Sequence, residues 1–184
     1  MHIEIRKLSK DLLNDWLYYF DNEKGHKGCY CMHYHWKQEL EDEFKTKGEV
    51  DGRAYAIKFI NEGIIQGYLA YCENQVIGWC NANDKKAYNT VLSKIYREDS
   101  EKEKKVKSVF CFNIAPEMRG KRIATQLLQK ICSDAFNDGY DYIEAYPFKN
   151  GANNDYHGSL SMYEKNGFTV YCDFDSYFVV RKYL

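Results

Sequence analysis

Apolar positions along this chain recur at two periods, and the switches between them mark the elements. His2 to Leu8 sets Ile3 and Ile5 against charged neighbours, the alternation of a half-buried strand. Ser9 or Asp11 can cap the helix that follows, where Leu13, Trp16, Leu17 and Phe20 share one face. Residues 21–28 are polar and read as a loop. Gln38 to Lys47 reads as a polar helix, and Glu49 to Glu62 as another with Ala54, Ile57, Phe59 and Ile60 as its apolar members. Tyr68 to Tyr71 and Val76 to Trp79 read as strands of a hairpin turning at Glu73-Asn74. Residues 97–107 mix charges of both signs, the pattern of an exposed loop. Val109 to Ala115 is almost wholly apolar and predicts a buried central strand.

After Gly120, Ala124, Leu127, Leu128, Ile131 and Ala135 line one face of a helix that stops near Gly139. Tyr142 to Tyr146 is a further strand, halted by Pro147. Phe148 to Gly158 is rich in Asn and Gly and long for a connection, which suits a lid. Ser159 to Lys165 predicts a short helix ending at Gly167, before strands Phe168 to Phe174 and Tyr177 to Tyr183. Strand–helix–strand from 109 to 146 implies a parallel pair with a right-handed crossover, and hairpins on either side make the sheet mixed. The fold class is therefore α/β with mixed α+β character: a mixed, mostly antiparallel sheet holding one parallel pair, with helices on both faces.

Length and composition narrow the function. The 184 residues suit one domain with a substantial core. A net charge of −1 argues against a general nucleic-acid binder and against a membrane-surface protein. The N-terminus carries charge where a signal peptide needs an apolar run, and no stretch approaches the roughly 18 apolar residues of a membrane span. Seven cysteines, an odd number scattered over a chain of this length, predict reduced thiols in the cytoplasm. Seventeen tyrosines suit pocket walls as well as core edges.

The candidate chemistry centres on Phe110 to Thr125, where an apolar strand passes through a basic, Gly-bearing loop into an amphipathic helix. Unpaired N–H groups and the helix dipole converge at such a turn, which suits a phosphate or pyrophosphate at the carboxyl end of the central strand. Cys29-Tyr30-Cys31-Met32-His33-Tyr34-His35 places metal-ligand types at every second residue. In an extended strand the first and last would lie about 20 Å apart, so one ion with bonds of about 2.0–2.3 Å cannot gather all four without a sharp turn. No metal is expected. The run reads either as a pocket wall or as plain packing.

Two motifs carry a family resemblance. Arg119-Gly120-Lys121-Arg122-Ile123-Ala124 matches the first and last positions of Gln/Arg-x-x-Gly-x-Gly/Ala, with Arg122 standing where the pattern has its middle Gly. Ser161-Met162-Tyr163-Glu164-Lys165-Asn166-Gly167-Phe168 looks like a Tyr-Glu-x-x-Gly-Phe helix-to-strand turn. Together and in this order they resemble the GNAT superfamily of acetyl-CoA-dependent N-acetyltransferases, over about residues 66–184. Glu144-Ala145-Tyr146-Pro147 and Tyr156-His157-Gly158 look like an uncharacterised branch of it.

The resemblance implies the acyl-CoA N-acyltransferase fold, in which the parallel pair splays. It implies acetyl-CoA held by Phe112, Asn113, Ile114, Arg119, Gly120, Lys121, Arg122, Ile123, Ala124 and Thr125, the pantetheine arm pairing along Phe112 to Ile114 like an added strand. Asn113 either satisfies a local hydrogen bond or helps to orient substrate. A backbone N–H near Ile114 is the implied oxyanion donor. Tyr163 either protonates the departing thiolate or packs on the arm. Glu144 is either a general base, partly desolvated among aromatics, or a hydrogen-bonded strand residue, with His157 a second base candidate. Cys29, Cys31, His33 and His157 are expected to shape the acceptor pocket. The implied partner is a small-molecule or protein amine, for a monomer or homodimer. A non-catalytic acyl-CoA-binding module and a thiol- or metal-binding domain built on residues 29–35 are the competing readings.

Overall fold

The structure is a computed structural model that describes residues 2–22, 28–35, 38–88, 103–149 and 156–184. Much of the loop expected at 21–28, part of the charged run at 97–107 and most of the lid expected between Phe148 and Gly158 lie outside the described residues.

Along the chain come β1 (Glu4–Lys7), α1 (Leu13–Asn22), α2 (Gln38–Lys47), α3 (Gly52–Asn61), β2 (Gly67–Cys72) and β3 (Gln75–Asp84). They are followed by β4 (Val106–Ile114), α4 (Ile123–Asn137), β5 (Tyr142–Ala145), α5 (Leu160–Lys165), β6 (Thr169–Asp173) and β7 (Phe178–Tyr183). The described strands make one seven-stranded sheet in the order β1-β2-β3-β4-β5-β7-β6. Only β4 and β5 pair in parallel; every other neighbouring pair is antiparallel. The mixed sheet with one parallel pair is the architecture the periodicity predicts.

Local chemistry explains most boundaries. Glu73 and Asn74 both take positive φ, 49° and 62°, in the two-residue turn between β2 and β3, whose backbone twist suits a hairpin. Asp51 caps α3 by accepting the Ala54 N–H at 3.0 Å, and Ala54 itself is exposed rather than part of the apolar face. Gly139 adopts φ 69° just past α4, and Tyr140 N–H returns to the Ala135 carbonyl at 3.0 Å, closing the helix end. Ser9 precedes a 3-10 turn, Lys10–Leu12, and makes no side-chain capping bond.

Two strands outrun their predictions. β4 begins at Val106 rather than Val109, so Val106 and Lys107, expected in an exposed loop, are buried strand residues. β3 continues past Trp79 through Cys80-Asn81-Ala82-Asn83-Asp84 because its polar side chains find buried partners. Tyr88 hydroxyl donates to Asn81 Oδ1 at 2.5 Å, and Asn83 donates to the Ile64 carbonyl at 2.9 Å. The core lies on both faces of the sheet. Trp79 meets Trp16 of α1 edge-on at 5.8 Å between ring centroids. Its neighbour Gly78 faces α4, where a Cβ would come within 2.8 Å of Ile114 and 3.4 Å of Ile123. No described helix is long and apolar enough to cross a membrane.

Candidate active site

β4 is where the sheet opens. It pairs with β5 only from Val106 to Val109, after which β5 ends at Ala145 while β4 runs on to Ile114. Phe110 is the extra residue of a bulge: Asn81 pairs with Cys111 and Ala82 with Val109. Beyond the bulge the β5-side edge of β4 borders a notch. Ala115 N–H bonds Ile77 of the β3 side, whereas Phe112 N–H turns the other way, so alternation aims the main-chain groups of Phe112 and Ile114 into the notch.

The chain then makes a 3-10 turn, Pro116–Met118, and enters α4 through Arg119 to Arg122. Gly120 takes φ 75°. Arg122 occupies the N-cap of α4 at φ 62°, ψ 23°, with no side-chain capping bond. The left-handed geometry that a glycine would supply at this position is therefore present with arginine in place. It leaves the first-turn N–H groups of α4 uncapped by that side chain. Arg119 Nε donates to the Ile114 carbonyl at 3.1 Å and pins the loop to the strand end.

A cleft of about 460 Å³ follows from this geometry. Of the ten residues expected at a nucleotide site, Phe112, Ile114, Arg119, Gly120, Arg122, Ile123, Ala124 and Thr125 line it. Asn113 and Lys121 do not. Asn113 lies on the other face of β4, buried, its carbonyl accepting from Tyr19 hydroxyl at 3.1 Å. Lys121 Nζ instead reaches Met118 Sδ at 3.7 Å.

The opposite wall is a strap, Tyr156 to Gly158, followed by α5. Phe112 N–H donates to the Tyr156 carbonyl at 2.6 Å. With the Ile114 carbonyl held by Arg119, the added-strand pairing expected along Phe112 to Ile114 is already half taken by the protein itself. Gly158 adopts φ 78°, and a Cβ there would meet Met162 at 2.7 Å and Tyr163 at 3.3 Å. Tyr163 is fully buried between Phe112 and Phe168, its hydroxyl donating to the His157 carbonyl at 2.7 Å. Ser159 caps α5 by accepting the Met162 N–H at 3.2 Å.

Glu144 departs from its expected role. It shares a face of the sheet with Tyr142 and Tyr146, as alternation predicts, but both of its oxygens are already engaged. Lys85 Nζ lies 2.8 Å from Oε1 and Arg181 Nε 2.7 Å from Oε2, with all three side chains buried. Tyr146 hydroxyl donates to Oε1 at 2.7 Å, so Ser108, at 3.1 Å, donates to Tyr146. Burial, then the charge of Glu144, raises the Tyr146 phenol well above its ordinary pKa. Arg181 also lies against the rings of Tyr171 and Tyr142, at 3.3 and 4.5 Å. Both oxygens of Glu144 are committed to cations, which corrects the general-base expectation.

The Cys29–His35 run also falls differently. Tyr30 and Cys31 take positive φ, and Met32–His35 is a 3-10 turn, so the period is near three rather than two. Cys31 is buried, its Sγ accepting from Trp79 Nε1 at 3.1 Å, and burial pushes its thiol up to about 12. Cys29 lines a separate recess with Val50, Gly52 and Arg53, and His33 is exposed. None of the four expected acceptor-pocket residues lines the cleft; His157 sits in the strap between Tyr156 and Gly158, which do. The run reaches the strap through Tyr34, with its hydroxyl 3.4 Å from His157 Nε2 and its ring against Phe110 at 5.2 Å. Nothing in the local sequence distinguished Tyr34 from its neighbours. Among the described residues, no group of three or more His, Cys, Asp or Glu side chains could hold a metal.

Residues 27–168 match the sequence profile of the Acetyltransferase (GNAT) family. The chain belongs to that family. As a GNAT protein it is an acyltransferase, and known structures share its fold across the whole chain. The PaiA N-acetyltransferase of Thermoplasma acidophilum, solved in complex with coenzyme A, superposes with a TM-score of 0.59 at 18% identity, covering 100% of both chains. An N-acetyltransferase from Staphylococcus aureus Mu50 gives 0.55 at 18% identity, covering 100% of this chain and 98% of its own. A polyamine N-acetyltransferase of Drosophila melanogaster, which forms N-acetylagmatine, gives 0.58 at 9% identity over 100% of both. No curated protein matches the sequence.

Proposed function

We propose that this chain, as a single domain, transfers the acetyl group of acetyl-CoA to a primary amine of a small molecule or protein, by direct attack in a ternary complex. The observation that carries the reading is the cleft at the end of β4, floored by the left-handed Gly120 and Arg122 and by the uncapped N-terminus of α4. N–H groups, the helix dipole and the arginines flanking Gly120 suit a diphosphate there. The coenzyme A in the Thermoplasma acidophilum structure supports the same ligand class for this fold. Seven free thiols are in keeping with a reducing cytoplasm, and a monomer or homodimer would serve equally.

Bound acetyl-CoA would supply an activated thioester. The protein's part is positional and electrostatic. Arg119 to Thr125 would hold the diphosphate, with Phe112 and Ile114 bordering the arm. Ile114 N–H, aimed into the notch, would face the carbonyl oxygen as negative charge grows on it. Tyr163, oriented by the His157 carbonyl, would give its proton to the sulfur as the thiol leaves and regain one from the newly acylated nitrogen, the first ammonium proton having gone to solvent. A phenol of pKa about 10 serving a thiol of about 8.5 makes that transfer only mildly uphill.

Acetyl-CoA at about a hundred times its Kd should stabilise the protein by about 2.7 kcal/mol, read as a rise in Tm. Mass spectrometry of an amine library incubated with protein and acetyl-CoA should then show an acetylated member. Tyr163→Phe should lower kcat by about 100-fold or more while leaving the Tm rise intact. No Tm rise at about millimolar ligand would overturn the site. A rise with no acetylated amine would favour a non-catalytic acyl-CoA-binding module.

A further inference from the structure

We propose that a recess between α4 and α5 takes the phosphate on the ribose of coenzyme A, and that Lys165 there makes the protein selective for acyl donors carrying that phosphate. The inference rests on the acetyl-CoA reading above and extends it to the far end of the donor.

The recess has a volume of about 380 Å³ and is bounded by Arg122, Thr125 and Gln129 on the α4 side and by Ser159, Ser161 and Lys165 on the α5 side. It is continuous with the cleft at the end of β4, since Arg122, Thr125, Ser159 and Met162 line both. Its walls are tied together. Gln129 Nε2 donates to Asn166 Oδ1 at 3.1 Å, and Asn166 Nδ2 donates to the Met162 carbonyl at 2.8 Å.

The chemistry of the lining is that of an anion site. Two cations line the recess and no carboxylate does. Among the described residues, the side chains of Arg122 and Lys165 have no ion-pair or hydrogen-bond partner. Lys130, farther along α4, is by contrast held by Asp134 at 2.7 Å. Glu164 precedes Lys165 and is exposed, but neighbours in sequence diverge around a helix and it does not line the recess. The hydroxyls of Ser159 and Ser161 lie 3.2 Å apart, so one donates to the other and one O–H of the pair is left for a ligand.

The diphosphate reading fixes which phosphate falls here. Thr125 and Gln129 are one turn apart, about 6 Å along the helix axis. A single ribose separates the diphosphate from the phosphate on its 3′ oxygen, a span of the same order. With the diphosphate at the Gly120 turn, the ribose phosphate lies between Arg122, which serves both groups, and Lys165 across the recess. A thioester borne on pantetheine without this ribose leaves Lys165 with nothing to bind. The recess is open to solvent, so each charge pair contributes modestly, and the two together amount to about 10-fold in Kd.

Isothermal titration calorimetry of the full chain with coenzyme A and with 3′-dephospho-coenzyme A tests this. Wild type should bind coenzyme A about 10-fold more tightly than the dephospho form. Lys165→Glu should remove most of that preference by weakening coenzyme A, while the Kd of the dephospho form changes far less, which also shows that the variant is folded. Arg122→Ala should weaken both ligands, because its cation also serves the diphosphate. Equal affinities in wild type, or a preference that survives Lys165→Glu, overturn the inference and leave the cleft reading standing. Binding of neither ligand sinks the acetyl-CoA reading, and the assignment of Lys165 with it.

Discussion

Glu144→Gln separates an anchoring carboxylate from a catalytic one. In the folded protein Glu144 is the anion between Lys85 at 2.8 Å and Arg181 at 2.7 Å, with all three side chains buried. Glutamine keeps the shape and one acceptor oxygen but removes the charge, leaving two buried cations facing a neutral amide. Removing one partner from a buried pair costs about 3–5 kcal/mol, because the stranded charge has lost both water and counter-ion. A domain is stable by only about 5–15 kcal/mol, so the loss is a large fraction of the whole. With a urea m-value of about 2 kcal/mol/M, the unfolding midpoint should fall by about 1.5–2.5 M. Replacing all three groups together, as Lys85→Met, Glu144→Met and Arg181→Met, should recover most of that loss, since no charge is then left buried. A Glu144→Gln midpoint shift below about 0.5 M would refute the reasoning and return the carboxylate to the list of bases.

Other perturbations test the remaining geometry. Arg122→Gly should raise Tm by about 1–4 °C, because the relieved left-handed strain of about 1–2 kcal/mol exceeds the added chain entropy of glycine. The same variant should bind acetyl-CoA more weakly for want of a cation, and a fall in Tm would contradict the φ of 62°. Gly158→Ala should destabilise by about 1–2 kcal/mol, since its Cβ would meet Met162 at 2.7 Å in a left-handed backbone. Unchanged urea unfolding would argue that the strap lies elsewhere. Lys107 is buried, and burial, followed by the charge of Lys7, lowers its pKa from 10.5 to about 8. Between those values the unfolded chain binds more protons than the folded one, so the penalty is full below pH 8 and disappears as pH rises to about 10.5. Lys107→Met lacks that term, so wild type should gain about 3 kcal/mol on the variant between pH 7 and 10.5, read by urea unfolding at both values. A difference independent of pH would show that Lys107 is not desolvated.

Features that depend on residues a few positions apart were legible in the chain. The helical face of Leu127, Leu128, Ile131 and Ala135, the turn at Glu73-Asn74 and the strand–loop–helix around Gly120 each rest on contacts within one or two turns. The lining of the cleft by eight of ten expected residues follows from that same local geometry, because a strand end and a helix start need no distant partner to aim their main-chain groups. What only the tertiary structure decided are the meetings of residues far apart in sequence. Glu144 changed from a candidate base to an anchor because β7 brought Arg181 beside it and the segment after β3 brought Lys85. Tyr34 and His157 meet across 123 positions, and a 3-10 turn shifted the period that would have turned His33 inward instead. Alternation reports which face a side chain takes, but charge and hydrogen bonding depend on what the rest of the chain places opposite that face, and no local pattern carries that information.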